Sequence, residues 1–346
     1  MERFFLAMEG ILTGHMLFVY SDEINFMKIA FFGSDAIALP CLDGIMQNSQ
    51  GCEICGVLTQ PDRKSGRGRK LQSNPIKQWA LDHGIPVQDP QKPGDAEVDW
   101  FKKMGADLTL VMAYGHILKD SLLEAAPLGC FNLHASLLPK YRGASPIETA
   151  LAMGESETGV TLMRVIPRMD AGPIIDAEMV PVSSSETGSS LREKLAHACV
   201  PLILRNLADL FAQKFSENVQ DEKQVTYCRK LTKQDGQIDF SLSAEEIENR
   251  SRAFASWPGS YFYHDDLPLR VGELKVHPAI THLACGERCS EHVNSLIIGT
   301  SAGAVEILAL QKPGGKMLPI AEFLRGYSFP AQITFCSPAE KLPLCR

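Results

Sequence analysis

The sequence predicts a doubly wound α/β domain with a Rossmann-like mixed sheet, followed by a smaller C-terminal β-barrel of the OB-like kind. Three observations carry this reading. From Met27 to residue 214, apolar strand-like runs alternate with helical stretches that have start and stop signals. A polar stretch, "FSENVQDEKQVTYCRKLT" at 215–232, then breaks the alternation and reads as a linker. Beyond it, over 233–346, short strands separated by Gly-rich turns recur at the spacing of a small barrel.

The elements follow in order. "KIAFFG" (28–33) is a buried strand, a helical stretch covers 36–48, and "EICGVLT" (53–59) is the next strand. Asn74-Pro75 opens a helix that stops at Gly84, with a short strand at 85–88. "LTLVMAYG" (108–115) is a strand, and a helix at 119–125 leads to a further strand at 129–134. Ser145 caps a helix with Pro146 at its first position, Glu148 at its third and Gly154 past its end. "GVTLMRVI" and "PIIDAEMVPV" give two more strands, and 189–213 a long amphipathic helix. In the second domain Ser243 and Glu246 form a capping box. "WPGSYFYHD", "LRVGELKVH", "SLIIGT" and "AVEILALQ" supply the strands.

Residues 1–26 are apolar but lack a basic start and a small-residue cleavage site, so they match neither a signal nor a transit peptide. "MKIAFFGS" is already a complete start to the first strand, and 1–26 reads as a loosely attached, non-native extension. With 346 residues, 45% of them hydrophobic, the chain is sized for two domains. A net charge of −7 excludes polyanion binding by bulk charge and requires any nucleic-acid contact to be a local patch. The C-terminal region from residue 229 is neutral, with 13 Lys/Arg against 13 Asp/Glu. The 10 scattered cysteines suit a reducing compartment, and neither Cys52/Cys55 nor Cys285/Cys289 has a partner pair at zinc-finger spacing, so no metal is expected.

Chemistry concentrates in "FNLHASLLPKYRGASP" (131–146). Asn132 and His134 are two apart at the carboxyl end of a strand, so they share a face where open α/β sheets bind ligands. Asp170 in "RMDAGPI" supplies a carboxylate that can orient a histidine and support its charged form. An asparagine amide can donate to an oxyanion. No serine or cysteine is placed as a nucleophile, which favours direct attack by a substrate amine. Any one of these alone is as readily a turn or core polar residue. Ser136-Leu137-Leu138-Pro139 reads either as ordinary core packing or as the lip of a site for a flat ring. In "TQPDRKSGRGRKLQ" (59–72), Arg63, Lys64, Arg67, Arg69 and Lys70 sit on a glycine-containing loop free of acids. It is equally a solvated surface loop or a surface that follows a phosphate backbone. No G-x-G-x-x-G follows the first strand, which disfavours a dinucleotide site.

Together these residues resemble the 10-formyltetrahydrofolate-dependent formyltransferases, in which N-x-H-x-S-L-L-P and a downstream Asp-x-Gly form the site. Here they read Asn132-Leu-His134-Ala-Ser136-Leu137-Leu138-Pro139 and Asp170-Ala-Gly172. "TQPDRKSGRGRK", "VMAYGHILK", "YRGASPIETALAMGESETGVTLM" and the stretch from "VTYCRKLTKQDG" to "WPGSYF" extend the likeness over 27–330, toward the branch that formylates methionine on initiator tRNA. The resemblance implies that Asn132 polarises the formyl oxygen, His134 moves the proton and Asp170 positions His134. It further implies that Ser136–Pro139 line the folate pocket, that the 63–70 loop meets the tRNA acceptor end, and that the C-terminal barrel holds the inner side of the tRNA. A cytoplasmic monomer without membrane contact goes with that reading. Ala135 and Gly33-Ser34-Asp35 depart from the family pattern at two cofactor-side positions, and neither removes an implied catalytic residue. A purine- or sugar-directed formyltransferase, a catalytically silent RNA-binding module, and a hydrolase releasing formate are the rival readings.

Overall fold

The computed structural model describes residues 27–48, 51–65, 70–291, 294–340 and 343–346, so the extension at 1–26 lies outside the described residues. Strand β1 (Met27–Gly33) buries its last five residues, as a central parallel strand does when both faces are covered. A 3-10 turn at 36–38, capped by the Asp35 side chain on the Ile37 N–H, leads into α1 (Leu39–Asn48). β2 (Cys52–Leu58) follows, then an antiparallel hairpin of β3 (Arg63–Ser65) and β4 (Lys70–Gln72) within the stretch read as a basic loop. Asn74 caps α2 (Pro75–Asp82) by accepting from the Ile76 and Lys77 N–H groups. After β5 (Val87–Gln88) comes α3 (Asp95–Met104), a helix the sequence reading lacks. Then follow β6 (Leu108–Met112), α4 (Asp120–Leu123), β7 (Cys130–His134) and the two-residue β8 (Arg142–Gly143). α5 (Pro146–Ala152) makes no side-chain cap bond at Ser145, whose hydroxyl instead accepts from the Leu231 N–H at 3.4 Å. β9 (Glu157–Arg164), β10 (Ile174–Pro181) and α6 (Gly188–Ala212) complete the domain.

The seven-stranded sheet runs β10-β9-β7-β6-β1-β2-β5. Pairing is parallel from β7 to β5 and antiparallel at β7/β9 and β9/β10, which gives the expected mixed sheet. The chain first winds outward from β1 to β5 and then returns through β6 on the other side. The strand order therefore reverses between β1 and β6, and the crevice beyond their carboxyl ends is the expected ligand position. α6 is the one helix among the described residues long and apolar enough to cross a membrane. Leu191, Leu195, Cys199, Leu202 and Ile203 lie in the core shared with α1 and the sheet. That burial accounts for its apolar face.

Residues 215–232 run along the first domain. Asn218 bridges Ile174, and β11 (Tyr227–Cys228) pairs in parallel with β8. The second domain contains α7 (Ala244–Ala253), β12 (Ser260–His264), β13 (Leu267–His277), β14 (Leu296–Gly299), β15 (Ala304–Gln311), β16 (Leu318–Pro319) and α8 (Ile320–Phe323). Its antiparallel sheet runs β12-β13-β15-β14, with β16 on β15. Among the described residues no pairing joins β12 to β14 or β16, so the expected barrel is half-closed. Side chains of α7 and α8, with Phe240, Phe262, Phe329 and Phe335, fill the concave side instead. Residues 343–346 return to the first domain: Cys345 bridges Cys228, and Leu344 joins the first domain's core.

Candidate active site

Side-chain alternation on β7 sets the site. Phe131 and Leu133 enter the core shared with α6, while Cys130 joins the core on the other face, the face of Asn132 and His134. Asn132 is half-buried and His134 is 6% exposed. The His134 ring lies between two acceptors. Nε2 is 3.0 Å from the Tyr141 carbonyl, and Nδ1 faces Asp170 Oδ1 at 3.7 Å. The tautomer with its N–H on Nε2 donates to the Tyr141 carbonyl and turns Nδ1 toward the carboxylate. Asp170 Oδ2 in turn accepts from the Gly143 N–H at 2.8 Å. The three predicted residues are thus gathered at the end of β7.

Two glycines allow this approach. Gly143 has φ +122, and a Cβ there would lie 2.1 Å from the Cys228 carbonyl. At Gly172 a Cβ would lie 1.8 Å from the Arg164 carbonyl, so only glycine lets the Asp170 turn close on β9. Ser136–Pro139 forms a tight turn. Ser136 is fully buried and donates its hydroxyl to the Lys140 carbonyl at 2.7 Å, and Leu138 is buried too. Thr161 staples the turn by donating to the Ser136 carbonyl and accepting from the Leu138 N–H. Leu137 and Pro139 stay half-buried and are the members of the turn with surface to offer.

Further groups were not singled out in the sequence. At the end of β6, the Tyr114 hydroxyl and His116 Nε2 are buried without a hydrogen-bond partner. Burial, with the charge of Arg63 second, holds His116 below its ordinary value. The Tyr114 ring packs in the core with Phe32 and Phe101, and the His116 ring lies against it. Around Asp170, Arg142 is fully buried and donates through Nε and Nη2 to the Gln220 carbonyl oxygen at 3.0 and 2.8 Å. The Gln220 amide donates to the Asp170 and Gly172 carbonyls at 2.9 and 2.7 Å. Gln220 falls in the stretch read as a polar linker, and nothing in the sequence set it apart.

The chain matches the formyl transferase family model over residues 27–207 and the formyl transferase C-terminal domain over 230–328. Methionyl-tRNA formyltransferase of Legionella pneumophila (strain Philadelphia 1) is 37% identical over 302 residues, covering 87% of this chain and 96% of that one. The Gluconobacter oxydans enzyme of the same name is 38% identical, covering 88% and 98%. The chain belongs to the methionyl-tRNA formyltransferase family. The fold agrees with an N-formyltransferase from Helicobacter canadensis solved with folinic acid and dTDP-3-aminofucose: TM-score 0.62, 19% identity, 83% and 99% of the two chains. It also agrees with HypX from Aquifex aeolicus in complex with tetrahydrofolic acid, at TM-score 0.54 and 16% identity, over 86% and 47%.

For a methionyl-tRNA formyltransferase the second surface of interest is the β3–β4 hairpin. Arg63 is exposed and donates to Gln60, whose amide donates to the Tyr114 carbonyl at 2.8 Å, so the hairpin base is tied to the crevice. Lys64 and Lys70 lie on the two hairpin strands, opposite Leu71 and Ser65. Arg67 and Arg69 lie outside the described residues.

Proposed function

We propose that this chain transfers the formyl group of 10-formyltetrahydrofolate to the α-amino group of methionine on initiator tRNA, with Asn132, His134 and Asp170 carrying the chemistry. The observation that supports it most is the convergence of these three groups at the end of β7, beside the switch-point crevice. The folate, a consumed substrate here, supplies the activated formyl group. The Asn132 amide donates to the formyl oxygen as negative charge grows there, an interaction typically worth about 2.7–4 kcal/mol. His134 takes the amine proton on Nδ1, because Nε2–H is already committed to the Tyr141 carbonyl. The Asp170 carboxylate beside Nδ1 stabilises the ring while it holds that proton. The ring then returns the proton to the departing folate nitrogen. No metal is needed, since side chains supply both the proton acceptor and the oxyanion donor.

Ser136 and Leu138 shape the turn from inside, while Leu137 and Pro139 face the folate ring. Arg63, Lys64, Arg67, Arg69 and Lys70 on the hairpin meet the acceptor-stem backbone, and the second domain holds the inner face of the tRNA. The chain works as a cytoplasmic monomer without membrane contact, the one long apolar helix among the described residues being part of the core. One assay tests the reading: formyl-folate turnover with and without methionylated initiator tRNA. N-formylation that requires the charged tRNA is expected. Formate release independent of tRNA would make the protein a hydrolase, and tight tRNA binding without turnover would make it a binding module.

A further inference from the structure

Asp170 has a backbone φ of +49, the left-handed region that side-chain-bearing residues seldom adopt without support. Its carboxylate must nevertheless face His134. The residues that hold this turn come from the stretch between the two domains. Gln220 is 5% exposed and uses its whole side chain as a bridge: the amide nitrogen donates to the Asp170 and Gly172 carbonyls, and the amide oxygen accepts two bonds from Arg142. Arg142 is itself immobilised, because β8 pairs with β11 and Gly143 next to it donates to Asp170 Oδ2. Glu222 and the Tyr227 hydroxyl close the outer side of Arg142, at 3.1 and 3.3 Å. Arg168, two residues before Asp170, bonds the same Glu222 and Tyr227 at 2.7 and 3.3 Å.

The turn is therefore gripped at its backbone by Gln220 and at its carboxylate by Gly143, and Arg142 joins the two grips. We infer that Gln220 is a positioning residue for the formyl transfer: its amide fixes the Asp170 turn so that the carboxylate faces His134 Nδ1. The inference rests on the proposed roles of His134 and Asp170. It adds that the interdomain stretch is part of the catalytic framework. Gln220 touches no reacting atom, so its loss should lower the rate of the step without weakening substrate binding.

Gln220→Glu isolates the grip. The carboxylate still accepts from Arg142, so the buried guanidinium keeps its partner and the fold is retained. It cannot donate, however, and it sets a carboxylate oxygen against the Asp170 and Gly172 carbonyls. With methionylated initiator tRNA and 10-formyltetrahydrofolate, kcat is expected to fall at least about tenfold, with KM for each substrate within about twofold and the melting temperature close to wild type. Gln220→Asn keeps an amide one methylene too short to span from Arg142 to the Asp170 turn, and should show the same kcat loss. It serves if the Glu variant does not fold. Gln224→Ala, an exposed residue of the same stretch whose amide bonds Asp221, should keep wild-type kcat. Folded Gln220 variants with wild-type kcat, or with raised KM and unchanged kcat, would overturn the inference. Wild-type protein that shows no tRNA-dependent transfer would instead overturn the proposed function, so the two failures are distinguishable.

Discussion

At the end of β7, His134, Asp170, Arg142 and Gln220 engage one another's side chains or the backbone beside them, whereas at the base of the β3–β4 hairpin Arg63 is exposed to solvent. The first region consists of groups that hold one another in place without any ligand. The second is a sequence of five cations within eight residues, with no acid among them. Catalysis gains from geometry fixed before substrate arrives, while binding to a polyanion gains from charge still free to pair. The two regions meet at Gln60, which bonds both Arg63 and the Tyr114 carbonyl at the end of β6.

The largest effects should come from breaking the ordered region. His134→Ala should lower kcat at least about 10²-fold, the usual scale for a positioned acid–base group. Asp170→Asn, which tolerates the left-handed backbone, should lose activity in the same way. Thermal melts beside single-turnover assays check both, and an active His134→Ala protein with an unchanged melt would remove His134 from the mechanism. Next in size is the hairpin. Arg67→Ala with Arg69→Ala should weaken binding of methionylated tRNA and flatten the dependence of log affinity on log salt by about 0.7–0.9 per lost phosphate contact. Transfer to a small amine acceptor should stay at the wild-type rate. Full activity on tRNA at every salt concentration would reduce the hairpin to a solvated surface.

Gly172→Ala tests how tightly the ordered region is packed. Its methyl has no room against the Arg164 carbonyl, and destabilisation of about 1–3 kcal/mol is expected, measured by urea unfolding. A protein as stable as wild type would mean that the Asp170 turn can shift freely. The smallest effect belongs to Asp235, at the junction of the domains. Burial raises its carboxyl, but hydrogen bonds from Arg229 and Thr232 outweigh that and hold it below the ordinary 3.8. A depressed carboxyl contributes stability that is complete above its ordinary value and disappears as pH falls through the lower folded-state value. The urea midpoints of wild type and Asp235→Asn should therefore differ at neutral pH and converge in acid. A gap that persists in acid would assign the effect to packing.

The comparison also explains what could be read from the sequence. Asn132 and His134 are legible because strand alternation is local, and two positions of spacing are enough to put them on one face. Asp170 could be added because an acid followed by glycine in a turn stands out between two apolar strands. Arg142 and Gln220 are 78 positions apart, and a buried arginine written between a tyrosine and a glycine has no local signature. The stretch 215–232 reads as a linker because it is polar, yet Gln220 within it is buried and bonds inward. α3 escapes a periodicity search because its first turn has no side-chain cap and its apolar face is narrow. Val98 and Phe101 are its buried apolar residues, and Glu97 accepts from the Gly94 N–H at 2.7 Å. The half-closed sheet of the second domain shows the reverse. Its strands are where alternation places them, but whether a sheet closes depends on what fills its hollow, and strand spacing carries no information about that.

One feature of the path of the chain governs how the two halves can move. The second domain leaves the first through β11, and residues 343–346 come back to lie antiparallel against that same strand, with Tyr227 and Arg346 exchanging backbone hydrogen bonds at 2.8 and 3.0 Å. Both its entrance and its exit are pinned at one place, within a few residues of the turn that carries Asp170. Away from that place α7 also packs on the first domain, with Ala253 and Phe254 in its core and Arg252 donating to the Glu186 carbonyl at 2.7 Å, so any tilt that a bulky ligand imposes on the outer half is carried through α7 as well as through β11 and β8. Calorimetry should accordingly give a single transition for the whole chain, and removing residues 343–346 should lower its midpoint without splitting it, because the α7 contact remains.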